Sequence, residues 1–350
     1  TIYNALLDEY EPYTRAEDIE PVFAALKEKL VPLVEKIAAT GKFPARGVLD
    51  QEFPVAGQEQ LGRQVLEDMG FDLEAGRLDV AVHPFCSGTS RDDVRLTTRY
   101  SADWLPGSLF GTIHEAGHGL YEQGLPKDAV ATPAGGSVSL GIHESQSRLW
   151  ENMVGRSRAF WIHYLPRLKV LFPTQLQNVD LDQFYAAVNQ VEPSLIRVEA
   201  DEVTYNLHIL LRFELEQDLF EGRVEVKDLP SVWNERMEQY LGICPPDDAQ
   251  GVLQDVHWSF GLMGYFPTYT LGNLYGAQFF HQAKQELPDL EGQIGRGEFG
   301  GLKTWLNEKV HNRGSRLRAS ELVEEVTGEK LSADYFTNYL EAKFGALYNL

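Results

Sequence analysis

Two histidines and a glutamate in the first half of the chain have the types and spacing of a zinc hydrolase site. They are His114, Glu115 and His118. On a helix, residues four apart lie one turn above each other, so both imidazoles can point at one metal ion. Glu115 lies beside that pair and could take a proton from a metal-bound water. The flanking residues are apolar and favour a helix, although Gly117 and Gly119 weaken its propensity by about 1 kcal/mol each.

A catalytic zinc site has three protein ligands and one open position, so a third ligand must come from elsewhere in the chain. Glu144 is the candidate, because it follows a loop rich in glycine and proline and begins a stretch with helical spacing of apolar residues. His143 competes with it, but adjacent residues point about 100° apart on a helix, so only one of the two can be the ligand. The structural alternative is a surface glutamate on an amphipathic helix.

The bulk properties narrow the class of protein. At 350 residues, the chain can form one large domain or two closely packed lobes. Its net charge of −21 disfavours nucleic acid and anionic membrane surfaces as partners. We expect no transmembrane segment and no signal peptide, because no apolar run is long enough and the first residues lack the pattern. The only cysteines, Cys86 and Cys244, exclude a disulfide framework and favour a cytoplasmic location.

Helical periodicity dominates the rest of the chain. Apolar residues recur at intervals of three and four over residues 16–39, 58–69, 181–190, 199–221, 230–241, 271–285, 300–309 and 319–326. Two strand-like segments, residues 78–83 and 93–100, could pair as a short hairpin just before the metal helix. An extended peptide could add to such an edge strand. The sequence therefore predicts a mainly α fold with a small β-hairpin or sheet beside the metal-binding helix.

Further side chains could stabilise the charge that develops on a carbonyl oxygen during hydrolysis. His257 lies in a polar and aromatic segment, and Tyr265 and Tyr269 lie in a following segment rich in glycine and tyrosine. Glycine lets a loop approach a substrate, and tyrosine hydroxyls donate hydrogen bonds without carrying charge. We expect His257 and Tyr269 to contact the oxyanion, with Tyr265 as a neighbour or substitute. A core histidine among packed aromatic rings is the alternative interpretation.

Two arginines could hold the carboxylate of a free peptide C-terminus, for which a bidentate guanidinium is well suited. Arg95 lies in the second strand-like segment, with Asp93 on the same face. Arg197 lies among acidic residues that could orient it. Each of these arginines could instead form a surface salt bridge.

Six short segments, in this order, carry a similarity to a known family. They are His83-Pro84-Phe85, Asp93-x-Arg95-x-Thr97, His114-Glu115-x-x-His118, His143-Glu144-Ser145-Gln146, Ile196-Arg197-x-x-Ala200-Asp201 and Gly251-x-x-Gln254-Asp255-x-His257-Trp258. Together they resemble the carboxypeptidase Taq family of metallocarboxypeptidases. The resemblance implies a large helical, gluzincin-like zinc-peptidase fold, with residues 1–350 as a single catalytic domain. It also implies removal of single C-terminal residues from peptides, broad side-chain tolerance and a homodimer.

The resemblance also implies roles for individual residues. His114, His118 and Glu144 would bind the metal, and Glu115 would be the general base. It strengthens the assignments of Arg197, His257 and Tyr269, and that of Arg95 less. Zinc (Zn²⁺) is the expected metal, although Co²⁺ or Mn²⁺ suits these ligands nearly as well.

Two departures from the family pattern accompany this resemblance. Members usually carry a long helical region ahead of the segment that begins here, so we expect that wall of the groove to be absent and the site to be more open. Gluzincin-type peptidases often place an acidic residue four positions after the ligand glutamate, where this chain has Arg148. The alternatives are a zinc endopeptidase or dipeptidase, and a catalytically impaired peptide-binding remnant.

Overall fold

The computed structural model describes residues 1–42 and 46–350, which are mostly helical. The helices are α1 (Ile2–Leu7), α2 (Ala16–Ala39), α3 (Val55–Met69), α4 (Leu105–Gly124), α5 (Leu140–Arg148), α6 (Arg158–Leu171), α7 (Pro173–Leu176), α8 (Leu181–Val188), α9 (Tyr205–Phe220), α10 (Leu229–Leu241), α11 (Pro267–Glu286), α12 (Leu290–Arg296), α13 (Gly300–Lys309), α14 (Ala319–Thr327) and α15 (Asp334–Tyr348). The strands are β1 (Gly76–Val80), β2 (Cys86–Ser90) and β3 (Asp93–Thr98). The predicted mainly α fold with a small sheet is therefore confirmed.

Amphipathic spacing located most of the long helices well. The first predicted helix coincides with α2, whose apolar residues at intervals of three and four are the buried ones. The helix predicted from residue 199 begins only at Tyr205, because Arg197–Glu199 forms a 3₁₀ turn and Ala200 is extended. Helices α1, α6, α7, α12 and α15 were not predicted. One continuous cluster of buried apolar side chains reaches from Tyr3 to Tyr348.

The sheet differs from the predicted hairpin. Its strand order is β1-β3-β2, and β1 pairs with β3 in parallel, with Arg77 opposite Arg95. The hairpin is formed instead by β2 and β3, which are antiparallel. The two predicted segments do pair with each other, but they run in parallel and not as a hairpin, because the residues between them themselves form a strand. That strand reads Cys-Ser-Gly-Thr-Ser and has no alternation of apolar and polar residues to indicate it.

Helix α5 packs closely between α4 and α11, and glycines permit this approach. A Cβ atom on Gly117 of α4 would lie 2.6 Å from the Gln146 carbonyl oxygen of α5. A Cβ atom on Gly272 of α11 would lie 2.7 Å from the Glu144 Cβ and would overlap its Cγ. Gly117 therefore lets the two helices with the candidate metal ligands approach each other.

None of the helices described above combines the length and the apolar character that crossing a bilayer requires.

Candidate active site

The structure brings together the three residues predicted to bind metal. His114 and His118 lie one turn apart on α4, with ring centroids separated by 4.9 Å. The Glu144 Oε2 atom, from α5, lies 3.5 Å from His114 Nε2 and 3.3 Å from His118 Nε2. Ligand atoms of the three residues all lie within 4.8 Å of one another, and among the described residues no other such group occurs. The second helix therefore returns beside the first, as predicted.

Hydrogen bonds behind the two imidazoles fix their orientation. His114 Nδ1 lies 2.9 Å from Glu151 Oε2, and His118 Nδ1 lies 2.6 Å from His143 Nδ1. His143 is held in turn by Glu122, whose Oε1 lies 2.7 Å from its Nε2. Because both Nδ1 atoms are engaged, the Nε2 atoms remain free to meet a metal beside Glu144. Two imidazoles and one carboxylate are a donor set that fits zinc.

These orienting residues were missed by sequence reasoning, although a helical spacing points to two of them. Glu122 follows His118 by four residues and so lies on the same face of α4. Glu151 follows Glu144 by seven residues, about two turns further on. It lies in a π-helix, Leu149–Gly155, that continues α5. His143 is placed as a partner of His118 and not beside Glu144 Oε2.

Arg148 occupies the position where an acidic residue was expected, and it pairs with the ligand glutamate. Its Nε donates to Glu144 Oε1 at 2.7 Å, and its Nη1 donates to Glu151 Oε2 at 3.3 Å. Burial opposes ionisation of both carboxyls, but the charge of Arg148 and the contacts with the other cationic neighbours together outweigh it. The pKa of Glu144 is therefore held well below its usual value, and that of Glu151 is lowered to about 2. Both acids are thus anionic at neutral pH.

Glu115 is buried next to the metal triad on α4. Burial raises its pKa, the nearby His114 opposes that rise, and the charge of Glu144 adds to it. His83, from the first family-like segment, interacts electrostatically with Glu115 and with His257. A carboxyl group with a raised pKa is a better proton acceptor than an ordinary one and is suited to exchanging protons.

His257, Tyr265 and Tyr269, the residues predicted to contact the oxyanion, pack together as one aromatic group. The His257 Nε2 atom lies 3.1 Å from Tyr269 Oη, and the two tyrosine rings meet edge to face at 5.3 Å. Burial, and then the charge of Arg197, lowers the pKa of His257 to about 4. Burial raises the pKa of both tyrosines, and the negative charge of Glu144 contributes to this rise. All three are therefore neutral at pH 7, and the two tyrosines are close enough for the charge of Glu144 to affect their pKa.

Arg197 is buried, and it shares a carboxylate with a second arginine. Its Nε and Nη2 donate to Asp255 Oδ1 at 3.0 and 2.8 Å, and Arg212 Nε donates to Asp255 Oδ2 at 2.7 Å. Its Nη1 donates to the Tyr205 hydroxyl at 3.1 Å, and its guanidinium lies 5.0 Å from the Tyr269 ring centroid. Two guanidinium groups on one carboxylate leave an excess positive charge, which suits an anionic ligand.

Arg95 lies on β3. Its side chain is 56% exposed and pairs with Asp93 at 2.9 Å. Its other charged neighbours are Arg77 and Asp79 of β1. Among the residues that the structure describes, its ionic partners are thus those of the sheet and not those of the metal triad.

Comparison with known proteins is consistent with this geometry. A family model described as Carboxypeptidase Taq (M32) metallopeptidase matches residues 1–344. The chain belongs to that family. As a carboxypeptidase Taq family member, it is a peptide-bond hydrolase of the metallocarboxypeptidase class.

Relatives of the carboxypeptidase Taq family resemble the chain over nearly its whole length. Thermostable carboxypeptidase 1 of Thermus thermophilus is 54% identical over 99% of this chain and 68% of its own length. Carboxypeptidase 1 of Bacillus subtilis is 44% identical over 99% of this chain and 70% of its own. The solved carboxypeptidase of Deinococcus radiodurans superposes with a TM-score of 0.97 at 44% identity, covering 99% of this chain and 70% of that one. The chain thus spans somewhat over two thirds of these relatives.

Proposed function

We propose that the chain uses a zinc ion to release single amino acids from the C-terminus of peptides. The observation that carries this is the convergence of His114 Nε2 and His118 Nε2 on Glu144 Oε2, with each Nδ1 occupied behind the ring. Imidazole donors favour zinc or cobalt over calcium or magnesium, and the carboxylate of Glu144 also suits manganese. When bound, the ion would lower the pKa of a water and polarise the scissile carbonyl.

Glu115 is the proposed general base. It takes the proton of the attacking water and then delivers that proton to the leaving amine. Its raised pKa supports this exchange, because a buried carboxyl holds a proton more readily than an exposed one.

His257 and Tyr269, with Tyr265 beside them, are the proposed donors to the developing oxyanion. All are uncharged at neutral pH, so they can donate hydrogen bonds without repelling the cationic groups nearby. A well-placed donor of this kind contributes about 2–4 kcal/mol to transition-state stabilisation.

Arg197 is the proposed partner of the substrate's terminal carboxylate, and this contact would make the enzyme an exopeptidase. Asp255 holds its Nε edge, while the excess positive charge of the Arg197–Arg212 pair attracts the anion. Arg95, which pairs with Asp93 on β3, is proposed as a second contact for the same carboxylate.

The broader properties are proposed from the family resemblance and the composition. Residues 1–350 would form one catalytic domain, supported by the continuous apolar core and by a family match over residues 1–344. Broad side-chain tolerance and a homodimer follow the family pattern. The free cysteines, Cys86 and Cys244, favour a cytoplasmic location.

The deciding experiment measures free amino acids released from a short peptide, with a free or an amidated C-terminus, before and after chelation. We expect release from the free peptide alone, its loss with a chelator and its return with Zn²⁺. Equal cleavage of the amidated peptide at an internal bond would indicate an endopeptidase. Cleavage restricted to dipeptides would indicate a dipeptidase. No release by zinc-loaded protein would leave only peptide binding.

A further inference from the structure

Glu216 of α9 is a buried carboxylate outside the metal triad and outside the groups proposed to contact the substrate. It is 0% exposed and accepts three hydrogen bonds. Its Oε1 accepts from Trp258 Nε1 at 2.8 Å, and its Oε2 accepts from the Gly264 backbone N–H at 3.1 Å and from the Tyr3 hydroxyl at 2.9 Å. Burying a carboxylate costs free energy of folding unless its oxygens accept hydrogen bonds, and both oxygens of Glu216 do so here.

Two of these partners are the direct neighbours of residues proposed to stabilise the oxyanion. Trp258 follows His257, and Gly264 precedes Tyr265. One carboxylate thus fixes both ends of the loop formed by residues 257–265, and it joins them to the rigid helix α9.

The loop is also fitted closely to the N-terminal helix. Gly264 has a φ of +85°, and a Cβ atom there would lie 2.8 Å from the Leu7 nitrogen of α1. Tyr10 meets the Tyr265 ring edge to face, with centroids 5.1 Å apart. The loop therefore has little freedom to settle elsewhere while Glu216 holds its two ends.

We propose that Glu216 is a positioning residue for peptide hydrolysis: it anchors the loop that carries His257 and Tyr265, so that their donors meet the reacting carbonyl. None of the three hydrogen-bond partners described for it is a candidate metal ligand. This role rests on the proposed function, which supplies the parts played by His257 and Tyr265.

The chemistry of the three partners explains why a carboxylate is required. An ionised carboxylate only accepts, and both of its oxygens face N–H or O–H donors here. A carboxamide of the same shape has one oxygen and one NH₂ group. Whichever way it is turned, its NH₂ faces either the Trp258 indole N–H or the Gly264 N–H, so one anchor of the loop must break.

The test compares Glu216→Gln with the unaltered enzyme, both loaded with zinc, on a short peptide with a free C-terminus. The assay is run at pH 8, because burial raises the pKa of Glu216 to about 7. We expect kcat to fall about tenfold or more, while KM changes less than about threefold and the zinc content is unchanged. Loss of an interaction made mainly in the transition state lowers kcat in this way.

Glu214→Gln is the matched control, because it makes the same chemical change on the same helix. Glu214 pairs with Lys27 at 2.6 Å, and its side chain is 29% exposed. We expect its kcat to remain within about twofold of the unaltered enzyme.

Trp258→Phe tests whether Glu216 acts by anchoring the loop, since it removes one anchoring hydrogen bond and keeps Glu216. We expect kcat to fall here as well. The double variant should be no worse than Glu216→Gln alone, because without the Trp258 indole the carboxamide oxygen can still accept from the Gly264 N–H, so one anchor is lost in either case.

An unchanged kcat in Glu216→Gln would overturn the inference, as would a fall in kcat matched by lost zinc. If Glu216→Gln does not fold, full activity of Trp258→Phe would overturn it instead. Absence of turnover by the unaltered enzyme would refute the proposed function, which is a separate result.

Discussion

At the scale of single residues, the carboxyl groups of the site differ in pKa according to their proposed roles. Arg148 and other cationic neighbours together hold Glu144 and Glu151 anionic against the effect of burial, whereas burial raises the pKa of Glu115. Acids within one small region therefore have opposite tendencies to bind a proton. Such a separation of pKa values is typical of sites where one acid exchanges protons and the others bind or orient.

Replacing Glu115 by Gln should abolish turnover without disturbing the metal. The amide cannot accept a proton, so kcat should fall by about 10²–10⁴-fold. Metal analysis of the purified variant should give the same stoichiometry as the unaltered enzyme, because Glu115 is not one of the three ligand candidates. Substantial residual hydrolysis would remove Glu115 from the role of base.

Replacing Arg197 by Ala should reduce the preference for a free C-terminus. We expect kcat/KM for a free-carboxylate peptide to fall about 10–100-fold, as for the loss of a charge-assisted hydrogen bond. Residual cleavage of an amidated peptide should change far less. Parallel losses on both peptides would show that Arg197 supports the structure of the site and does not recognise the carboxylate.

At the scale of elements, the position of α5 between α4 and α11 decides where the metal ligand Glu144 lies. Glycines make both helix contacts possible. Gly117 of α4 faces the backbone of α5, and Gly272 of α11 faces Glu144 directly. The buried Glu11 fixes the start of α5, because it accepts hydrogen bonds from the Ser139 hydroxyl and the Gly141 N–H. The ligand geometry is therefore a product of helix packing.

Gly272→Ala should displace Glu144 and weaken metal binding. The added methyl group would overlap the Glu144 side chain, and overpacking of this kind costs about 1–3 kcal/mol. Zinc affinity, measured by competition with a chelator, and the Tm should both fall.

Gly345→Ala, in α15, is the matched control for Gly272→Ala. No atom lies within 4 Å of a Cβ built there, so the stability should rise slightly through helix propensity alone. Equal zinc affinity in both variants would contradict the packing argument.

At the scale of the whole molecule, two buried carboxyls link folding to pH. Burial raises the pKa of Glu11 and of Glu216 to about 7, against about 4.5 when exposed. Between these values the folded chain binds more protons than the unfolded chain. The stability that these groups contribute is thus full below pH 4.5 and is lost as pH rises through 7.

Glu11→Gln should reduce this pH dependence. For each such group the free energy of unfolding should fall by up to about 1.4 kcal/mol per pH unit within that window. We therefore expect the stability difference between the unaltered enzyme and Glu11→Gln to shrink from pH 5 to pH 8, measured by urea unfolding of the zinc-loaded forms. A difference that is independent of pH would contradict the raised pKa of Glu11.

Local spacing predicted much of the fold and of the candidate site. Apolar periodicity located α2 because the buried face of a helix recurs along the sequence itself. The parallel direction of β1 and β3 was missed, because strand direction depends on packing between segments and not on the pattern within one. Glu216 was not singled out, since its three partners lie on distant parts of the chain.

The sequence by itself determined the helical class, the acidic surface charge and the pair His114 and His118, because residues four apart on a helix always share a face. Only the tertiary structure decided which groups orient those imidazoles, and that Arg197 shares Asp255 with Arg212. Contacts within one helical turn follow from backbone geometry. Contacts between elements depend on how buried surfaces fit together, which no local pattern encodes.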